Sequence, residues 1–276
     1  MNASPKPPTV ARSYLFVPGD RPERFDKALA AGAHAVIIDL EDAVTPARKE
    51  QAREQLGAWL QQAGTPVFVR VNPSGTPWHA QDCELLALPA VRGVMVPKAQ
   101  DAADLARIGA MLRPGQALVP LVETVEGWFE AAALAAVPQV ERLAFGSFDF
   151  MSDAGIQADG PELDPVRTQL VLVSRRAGIA APIDGVSLAI DDAAQLEADA
   201  RRARRFGLGA KLCIHPRQVA AVHAAFAPRP EEIEWARRVL AALAAGPLGA
   251  VAVDGKLVDR PVALLAETIL AEAAVG

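Results

Sequence analysis

The chain has 276 residues, of which 51% are hydrophobic and 22% are charged, and its net charge is −5 at pH 7. This length and composition fit a soluble globular protein with one large α/β core. The acidic balance argues against a nucleic-acid partner. We interpret the basic run at positions 201–205 as a solvated helix end before the turn at Phe206 and Gly207.

Two cysteines, Cys83 and Cys213, are too few for a disulfide framework in a chain of this length, so a reducing cytoplasm is expected. The N-terminal residues contain no apolar run typical of a signal peptide. No apolar run is long enough to span a bilayer, so no membrane association is expected. Residues 1–11 are predicted to be a disordered tail, because they are rich in proline and small polar residues.

Short apolar runs alternate along the chain with longer stretches of helical spacing. Runs such as AVIIDL and GVMVPK are apolar almost throughout, which is typical of parallel strands buried on both faces. The predicted strands span residues 14–17, 35–40, 67–71, 93–96, 117–121, 142–145, 183–187 and 210–213. The predicted helices include residues 22–31, 45–61 and 191–206. This alternation predicts an α/β fold, a (β/α)₈ TIM barrel over residues 12–228, with a doubly wound open sheet as the alternative.

Residues 229–276 exceed what a barrel needs. A helix is predicted over residues 231–245, and the segment GAVAVDGKLVDRP that follows predicts a hairpin-like turn. A terminal helix is predicted over residues 262–273. We therefore expect a C-terminal extension that covers some further surface.

Polar residues follow the predicted strands one after another, at the barrel end where the catalytic groups of such folds lie. They are Asp39, Glu41, Asp42, Arg70, Asn72, Lys98, Glu123, Ser147, Asp149, Asp184 and His215. Any one of them is explained equally well as a helix cap or a packing residue. The series as a whole predicts a functional site at the carboxyl ends of the strands.

Glu123 and Asp149 follow neighbouring predicted strands and form a plausible pair of ligands for a hard cation. Mg²⁺ prefers oxygen ligands and usually keeps several waters, which leaves positions for a chelating substrate. The alternative is ordinary helix capping by both carboxylates. Zinc is not expected, because no Cys/His cluster has zinc spacing.

Arg70 lies in the apolar run FVRVN, where a buried guanidinium requires an acidic partner. That partner is either structural, Asp39 or Glu41, or the carboxylate of a substrate. The loop with Ser147 and Phe148 offers N–H groups before a helix to an anion, or is simply a tight turn.

Glu41 and Asp42 are predicted to hold metal-bound waters, or to start a helix. The roles of Lys98 and His215 stay open: Lys98 neutralises the acidic cluster or contacts the substrate, and His215 closes the rim or takes part in catalysis.

The chain resembles the citrate lyase β-subunit family of the HpcH/HpaI aldolase superfamily, which includes malyl-CoA and citramalyl-CoA lyases. The resemblance runs from about Arg12 to Ala266. It is carried by RSYLFVPGDRPERFDKAL, AVIIDLEDAV, VRVNP, VPK, PLVETVEG, FGSFDF and GAKLCIHPRQV.

The resemblance implies a role for each matching residue. Glu123 and Asp149 would bind Mg²⁺, Arg70 would bind the carboxylate of the oxo-acid, and Glu41 and Asp42 would support metal waters. The loop of Phe16, Pro18 and Gly19, with the basic residues Arg21, Arg24 and Lys27, would lie near the entry of the thioester carrier. The segment GKLVDRP is similar to a lid whose aspartate is an acid/base, and Asp259 is the matching residue.

The implied reaction is the Mg²⁺-dependent cleavage or formation of a β-hydroxyacyl thioester, such as citryl-, citramalyl- or malyl-CoA. Its small-molecule partners would be an oxo-acid and a CoA or acyl-carrier thioester. A homo-oligomer, a trimer or hexamer, is expected, with Asp259 serving a neighbouring site. Two alternatives stay open: a pyruvate-type aldolase acting on free oxo-acids, and a non-autonomous subunit or oxo-acid-binding barrel of a larger complex.

Overall fold

The computed structural model describes residues 11–245 and 251–275 of the chain. The chain divides into two compact units, of which the first ends at His223 and the second begins at Ala224. The predicted tail lies outside the described residues except for Ala11. The predicted domain boundary after residue 228 stays a prediction.

Eight parallel strands close into a barrel, in which each strand pairs with the next along the chain and the eighth pairs with the first. The strands are β1 (Ser13–Pro18), β2 (Ala35–Asp39), β3 (Val67–Arg70), β4 (Val91–Val96), β5 (Ala117–Val122), β6 (Ala144–Phe145), β7 (Ile183–Asp184) and β8 (Ala210–Cys213). All eight predicted strands and the closed barrel are confirmed, and the open sheet is excluded. The strands β6 and β7 are shorter than predicted, because only two residues of each join the ladder.

Helices occupy the connections between the strands and follow the last one. They are α1 (Phe25–Leu29), α2 (Lys49–Leu60), α3 (His79–Glu84), α4 (Ala102–Gly109), α5 (Val125–Phe129), α6 (Ala131–Ala135), α7 (Ser147–Ala154), α8 (Asp164–Ala177), α9 (Ala193–Phe206) and α10 (Gln218–Phe226). In α2, Ala52, Leu56 and Leu60 recur every four residues and are fully buried, as expected of an amphipathic helix. Within the described ranges, no helix has both the length and the apolar character needed to cross a membrane.

The barrel interior is filled by side chains that alternate along the strands with side chains facing outward. Tyr14, Ile37 and Phe68 belong to this inner cluster, in which the Tyr14 and Phe68 rings meet edge to face at 5.6 Å. Arg142 closes the amino-terminal end of the barrel: it is fully buried and donates hydrogen bonds to the carbonyl oxygens of Ala11 and Ala181. The interior is therefore a packed core, and any site must lie at an end.

The second unit consists of two helices and a hairpin. They are α11 (Pro230–Ala245), β9 (Val251–Val253), β10 (Lys256–Val258) and α12 (Arg260–Val275). The hairpin turns at Asp254 and Gly255, whose φ angles of 51° and 74° are those favoured by an Asp-Gly pair in a tight β-turn. Val239, Val258 and Ile269 contribute to the unit's own apolar cluster. The predicted helix, hairpin-like turn and terminal helix are confirmed.

Both thiols should be inert in the folded protein. Burial raises the pKa of Cys83 and of Cys213 to about 12, so neither forms a thiolate at neutral pH. We expect no reaction with a disulfide reagent such as DTNB at pH 8, and reaction of both thiols in guanidinium chloride. One thiol equivalent released rapidly from the folded protein would contradict this.

Candidate active site

The site follows from the alternation of side chains along the barrel strands. Ile37, Phe68 and Leu121 face the interior, so the residues two positions further along also face inward, at the carboxyl end. These residues are Asp39, Arg70 and Glu123. Asp39 and Arg70 are direct partners in the register of β2 and β3. Three strands thus bring three charged side chains together at one end of the core.

Arg70 is held by Asp39 through a two-pronged ion pair. Its Nε and Nη2 donate to the two Asp39 carboxylate oxygens at 2.6 Å each. Asp39 also accepts hydrogen bonds from the N–H groups of Glu41 and Ala43. Burial lowers the pKa of Arg70, but Asp39 and Glu41 outweigh burial and hold the pKa above its ordinary value. The structural partner of Arg70 is therefore present, and a substrate would meet only the other edge of the guanidinium.

That other edge faces two acidic residues. The Arg70 Nη1 atom lies 3.0 Å from Oε2 of buried Glu41 and 3.8 Å from Oδ2 of exposed Asp42. The second Glu41 oxygen, Oε1, accepts a hydrogen bond from Lys98 Nζ at 3.0 Å. Burial raises the pKa of Glu41, an effect that Arg70 opposes. Lys98 and Glu41 thus extend the Asp39–Arg70 pair toward β4 and β5.

Glu123 is 2% exposed and accepts a 2.7 Å hydrogen bond from the main-chain N–H of Lys98 through Oε1. Its other oxygen, Oε2, lies beside Gly146, where a Cβ would come within 2.7 Å of it. Burial raises the pKa of Glu123 to about 8; the Lys98 N–H and Arg70 oppose this rise, while Glu41 and Asp149 add to it. Glu123 is therefore a buried carboxyl group whose ionised form is disfavoured mainly by burial.

Asp149 lies in the first turn of α7, the helix that begins directly after Gly146. It is exposed, and it is close enough to Glu123 to act on that residue's pKa. Within the described residues, no group of three or more His, Cys, Asp or Glu side chains is arranged to hold a metal ion. The structure thus offers two neighbouring carboxylates, which suits a cation that keeps most of its water ligands.

Ser147 and Phe148 begin α7 but face different surroundings. The Ser147 Oγ is buried and has no hydrogen-bond partner among the described residues. It lies against Gly185, where any Cβ would come within 2.5 Å of that oxygen. Phe148 lines a cavity of about 230 Å³ together with Arg167 and Lys211.

The expectation that Asp184 belongs to this site is wrong. Its neighbour Ile183 faces the barrel interior, so Asp184 faces outward. There it accepts hydrogen bonds from Arg167 Nε at 2.8 Å and from Lys211 Nζ at 2.9 Å. Asp184 therefore lies apart from the group formed by Asp39, Arg70 and Glu123.

His215 follows β8 and is half-buried; its Nδ1 accepts a hydrogen bond from the main-chain N–H of Arg217. Phe16 lies beneath Arg70, with its ring centre 4.8 Å from the guanidinium carbon. Arg21 and Arg24 face Glu23, so a role at the entry of a carrier stays a prediction for them.

In the second unit, Asp259 is exposed and precedes α12. Its Oδ1 accepts a 3.2 Å hydrogen bond from the N–H of Val262, as a helix cap does. Asp259 therefore caps α12 through one of its two carboxylate oxygens. A catalytic role for Asp259 stays a prediction.

Sequence reasoning missed two features of the site. The main-chain N–H of Lys98 meets Glu123, and nothing in the run VPK signals this hydrogen bond. Asp82, on α3, supports Asn72 at the end of β3 by accepting from its main-chain and side-chain nitrogens at 3.0 and 2.6 Å. The polar residue pattern of α3 offered no sign of this contact.

A closed barrel with acidic residues and an arginine at the carboxyl ends of its strands is the arrangement of a barrel enzyme. Residues 12–216 match the family model described as HpcH/HpaI aldolase/citrate lyase. The chain belongs to this family, and it is an enzyme of the carbon–carbon lyase class.

Two curated relatives cover nearly the whole chain. A citrate lyase subunit beta-like protein of Mycobacterium tuberculosis is 39% identical over 272 residues, which are 94% of each chain. A (3S)-malyl-CoA thioesterase of Cereibacter sphaeroides is 34% identical over 269 residues, which are 95% of this chain and 94% of that protein.

Solved structures show the same fold. The M. tuberculosis protein CitE in complex with magnesium, acetoacetate and coenzyme A superposes with a TM-score of 0.86 at 37% identity, covering 96% of this chain and 99% of that chain. A second M. tuberculosis structure, a citrate lyase beta subunit with oxaloacetate and magnesium, has a TM-score of 0.70 at 35% identity and covers 80% of this chain and 99% of that chain.

Replacing Arg70 with lysine should destabilise the protein. A lysine cannot bridge both oxygens of Asp39 and also reach Glu41, so buried acceptors lose their donors. We expect a loss of about 1–3 kcal/mol in the free energy of unfolding, measured in urea. The matched control is Arg107→Lys on α4, whose side chain is 69% exposed and pairs with Asp104. That control should cost less than about 0.5 kcal/mol; equal losses in both variants would refute a structural role for the Asp39–Arg70 pair.

Proposed function

We propose that this chain is a Mg²⁺-dependent lyase that cleaves or forms a β-hydroxyacyl-CoA thioester, with an oxo-acid and an acyl thioester as the other reactants. The observation that carries the proposal is Glu123, a carboxyl group buried at the carboxyl end of the barrel and close enough to Asp149 for that residue to act on its pKa. The relatives that bind magnesium, oxo-acids and coenzyme A support it. Candidate thioesters are malyl-, citramalyl- and citryl-CoA.

The residues present fit a magnesium ion. Glu123 has one oxygen fixed by the Lys98 N–H, and its other oxygen lies beside Gly146, which precedes the helix that carries Asp149. A cation bound by the two carboxylates would stabilise the ionised form of Glu123, which burial disfavours. When bound, Mg²⁺ would act as a Lewis acid toward the oxygens of the oxo-acid. Glu41 and Asp42 would hold its waters.

The chain's own groups would then orient the substrate and move its protons. The Nη1 edge of Arg70 and the first N–H groups of α7 would bind the substrate carboxylate and fix the bond to be broken. The unpartnered Ser147 Oγ would hydrogen-bond to the substrate, and Phe148 would contact it. Asp259 would take a proton from the thioester methyl carbon in condensation and return it in cleavage.

A second candidate function has a specific observation in its favour, the relative named (3S)-malyl-CoA thioesterase. Hydrolysis of malyl-CoA gives malate and free CoA, whereas carbon–carbon cleavage gives glyoxylate and acetyl-CoA. The two functions are therefore distinguished by their products. A pyruvate-type aldolase would cleave free oxo-acid adducts, and a non-autonomous subunit would require an acyl carrier.

The deciding experiment is a product assay of the purified protein with Mg²⁺ and each of the three CoA thioesters. We expect an oxo-acid and an acyl-CoA from at least one of them. Free CoA thiol without an oxo-acid would favour the thioesterase. Turnover of free oxo-acid adducts alone would favour the aldolase, and turnover only with a carrier-bound thioester would favour the subunit. Light scattering of the same preparation should show a homo-oligomer, a trimer or hexamer. The proposed location of the protein is cytoplasmic.

Removing the metal ligands should abolish Mg²⁺ binding without unfolding the protein. Because the pKa of Glu123 is raised to about 8, its ionised form is disfavoured by folding at pH 7, and neutral glutamine relieves this cost. We expect Glu123→Gln and Asp149→Asn to lose Mg²⁺ binding in calorimetry, while metal-free Glu123→Gln melts no lower than wild type.

The matched control for these variants is Glu126→Gln, an exposed glutamate on α5. It should keep both Mg²⁺ affinity and activity. Full activity of Glu123→Gln in metal-free buffer would remove the metal from the proposal.

Asp259 should act in the site of a neighbouring subunit. Mixing inactive Asp259→Ala with inactive Glu123→Gln, under conditions of subunit exchange, should restore part of the activity, because some neighbours would pair an intact barrel with an intact tail. The control is Glu123→Gln mixed with Asp149→Asn, which leaves no intact barrel and should stay inactive. No recovery despite proven exchange would place Asp259 in its own subunit's site or outside catalysis.

A further inference from the structure

We propose that Lys98 is the positioning residue of this site, and that its main chain and its ammonium group do separate work. The proposal deepens the proposed function and rests on it, because the groups that Lys98 positions are the proposed metal ligand Glu123 and its neighbour Glu41. The side chain of Lys98 is 44% exposed.

The main chain turns abnormally at Lys98. Its φ angle is 48°, in the left-handed region that residues with a Cβ seldom adopt. In an extended strand, successive N–H groups point to opposite sides. Here the N–H of Lys98 meets Glu123 Oε1 at 2.7 Å, and the next N–H, that of Ala99, meets the Leu121 carbonyl at 3.2 Å. The left-handed turn therefore lets the consecutive N–H groups of Lys98 and Ala99 both reach acceptors on β5 or on the residue that follows it.

This arrangement fixes the orientation of the Glu123 carboxylate. With Oε1 held by the Lys98 N–H, Oε2 is directed toward Gly146 and the start of α7. The turn also packs closely against α5. Gly127 of that helix lies so near the Ala99 carbonyl that a Cβ on Gly127 would come within 2.4 Å of the carbonyl oxygen. A metal ion would thus meet a ligand already oriented by the main chain.

A glycine would adopt this turn at lower cost, so the lysine must contribute through its side chain. Its Nζ lies 3.0 Å from Glu41 Oε1, while the other Glu41 oxygen lies 3.0 Å from Arg70 Nη1. The ammonium group therefore fixes the carboxylate of Glu41. Glu41 in turn contacts Nη1 of Arg70, the atom that is proposed to bind the substrate carboxylate. Strain at a non-glycine residue commonly marks such a functional position.

The main-chain role is tested with two variants that both lack the ammonium. Lys98→Gly favours the left-handed turn, whereas β-branched Lys98→Val opposes it. Mg²⁺ affinity of each folded variant is measured by calorimetry, with circular dichroism and thermal melting as checks of folding. We expect Lys98→Val to bind Mg²⁺ at least about ten-fold more weakly than Lys98→Gly, a difference of about 1.4 kcal/mol.

If Lys98→Val does not fold, Lys98→Asn and Lys98→Leu replace the pair, because asparagine tolerates the left-handed region and leucine does not. Equal Mg²⁺ affinity within a folded pair would overturn the main-chain role.

The ammonium role is tested with Lys98→Gln, which keeps the backbone preference and loses the charge. We expect it to raise KM for the oxo-acid in the condensation direction without weakening Mg²⁺ binding, and we expect Lys98→Arg to restore KM. An unchanged KM in Lys98→Gln, or no restoration by arginine, would overturn this role. If the wild-type protein binds Mg²⁺ but the variants do not show the predicted differences in Mg²⁺ affinity and KM, the positioning role alone is refuted. A wild-type protein that binds no Mg²⁺ refutes the proposed function together with it.

Discussion

The ion pair between Asp39 and Arg70 is the constraint on which the rest of the site depends. It lies directly above apolar residues of the barrel core, and both of its side chains are almost fully buried. A buried guanidinium in that place requires a carboxylate that accepts two of its hydrogen bonds. The carboxylate in turn requires further donors, which are the N–H groups of Glu41 and Ala43. Removal of either charge would leave the other buried without a partner.

The remaining groups of the site are attached to this pair in sequence. Glu41 bridges Arg70 and Lys98, and the Lys98 main chain reaches Glu123 at the end of the adjacent strand β5. Each side chain is therefore placed by its neighbour, and no loop has to fold independently to form the centre. The C-terminal strand ends supply the fixed points, since parallel strands deliver their last inward-facing side chains to the same edge. Such a centre is preorganised before any ligand arrives.

The barrel was predictable because eight apolar runs alternate along the chain with stretches that have the spacing of amphipathic helices. Glu123 and Asp149 are carboxylates that follow β5 and β6 and stand out in the sequence, and their role as metal ligands stays a prediction. The partner of Arg70 could not, because a guanidinium fork suits Asp39 and a substrate carboxylate equally well. The turn at Lys98 depends on a φ angle of 48° that no local residue pattern indicates. The outward direction of Asp184 does follow from the sequence, because side chains alternate along β7 and its neighbour Ile183 faces the barrel interior.

Asp184 and Glu123 show why burial alone does not identify a functional carboxylate. Both follow apolar strand residues and both are 2% exposed. Burial raises the pKa of each, but Lys211 and Arg167 both contact Asp184 and bring its pKa below the ordinary value. At Glu123 the Lys98 N–H and Arg70 oppose burial without outweighing it, and the pKa of Glu123 rises to about 8. The first carboxylate is already neutralised by the protein, so it ties strands to helices. The ionised form of the second is not fully stabilised by the chain, and a buried carboxyl group of this kind near a second carboxylate suits a cation that would favour its ionised form.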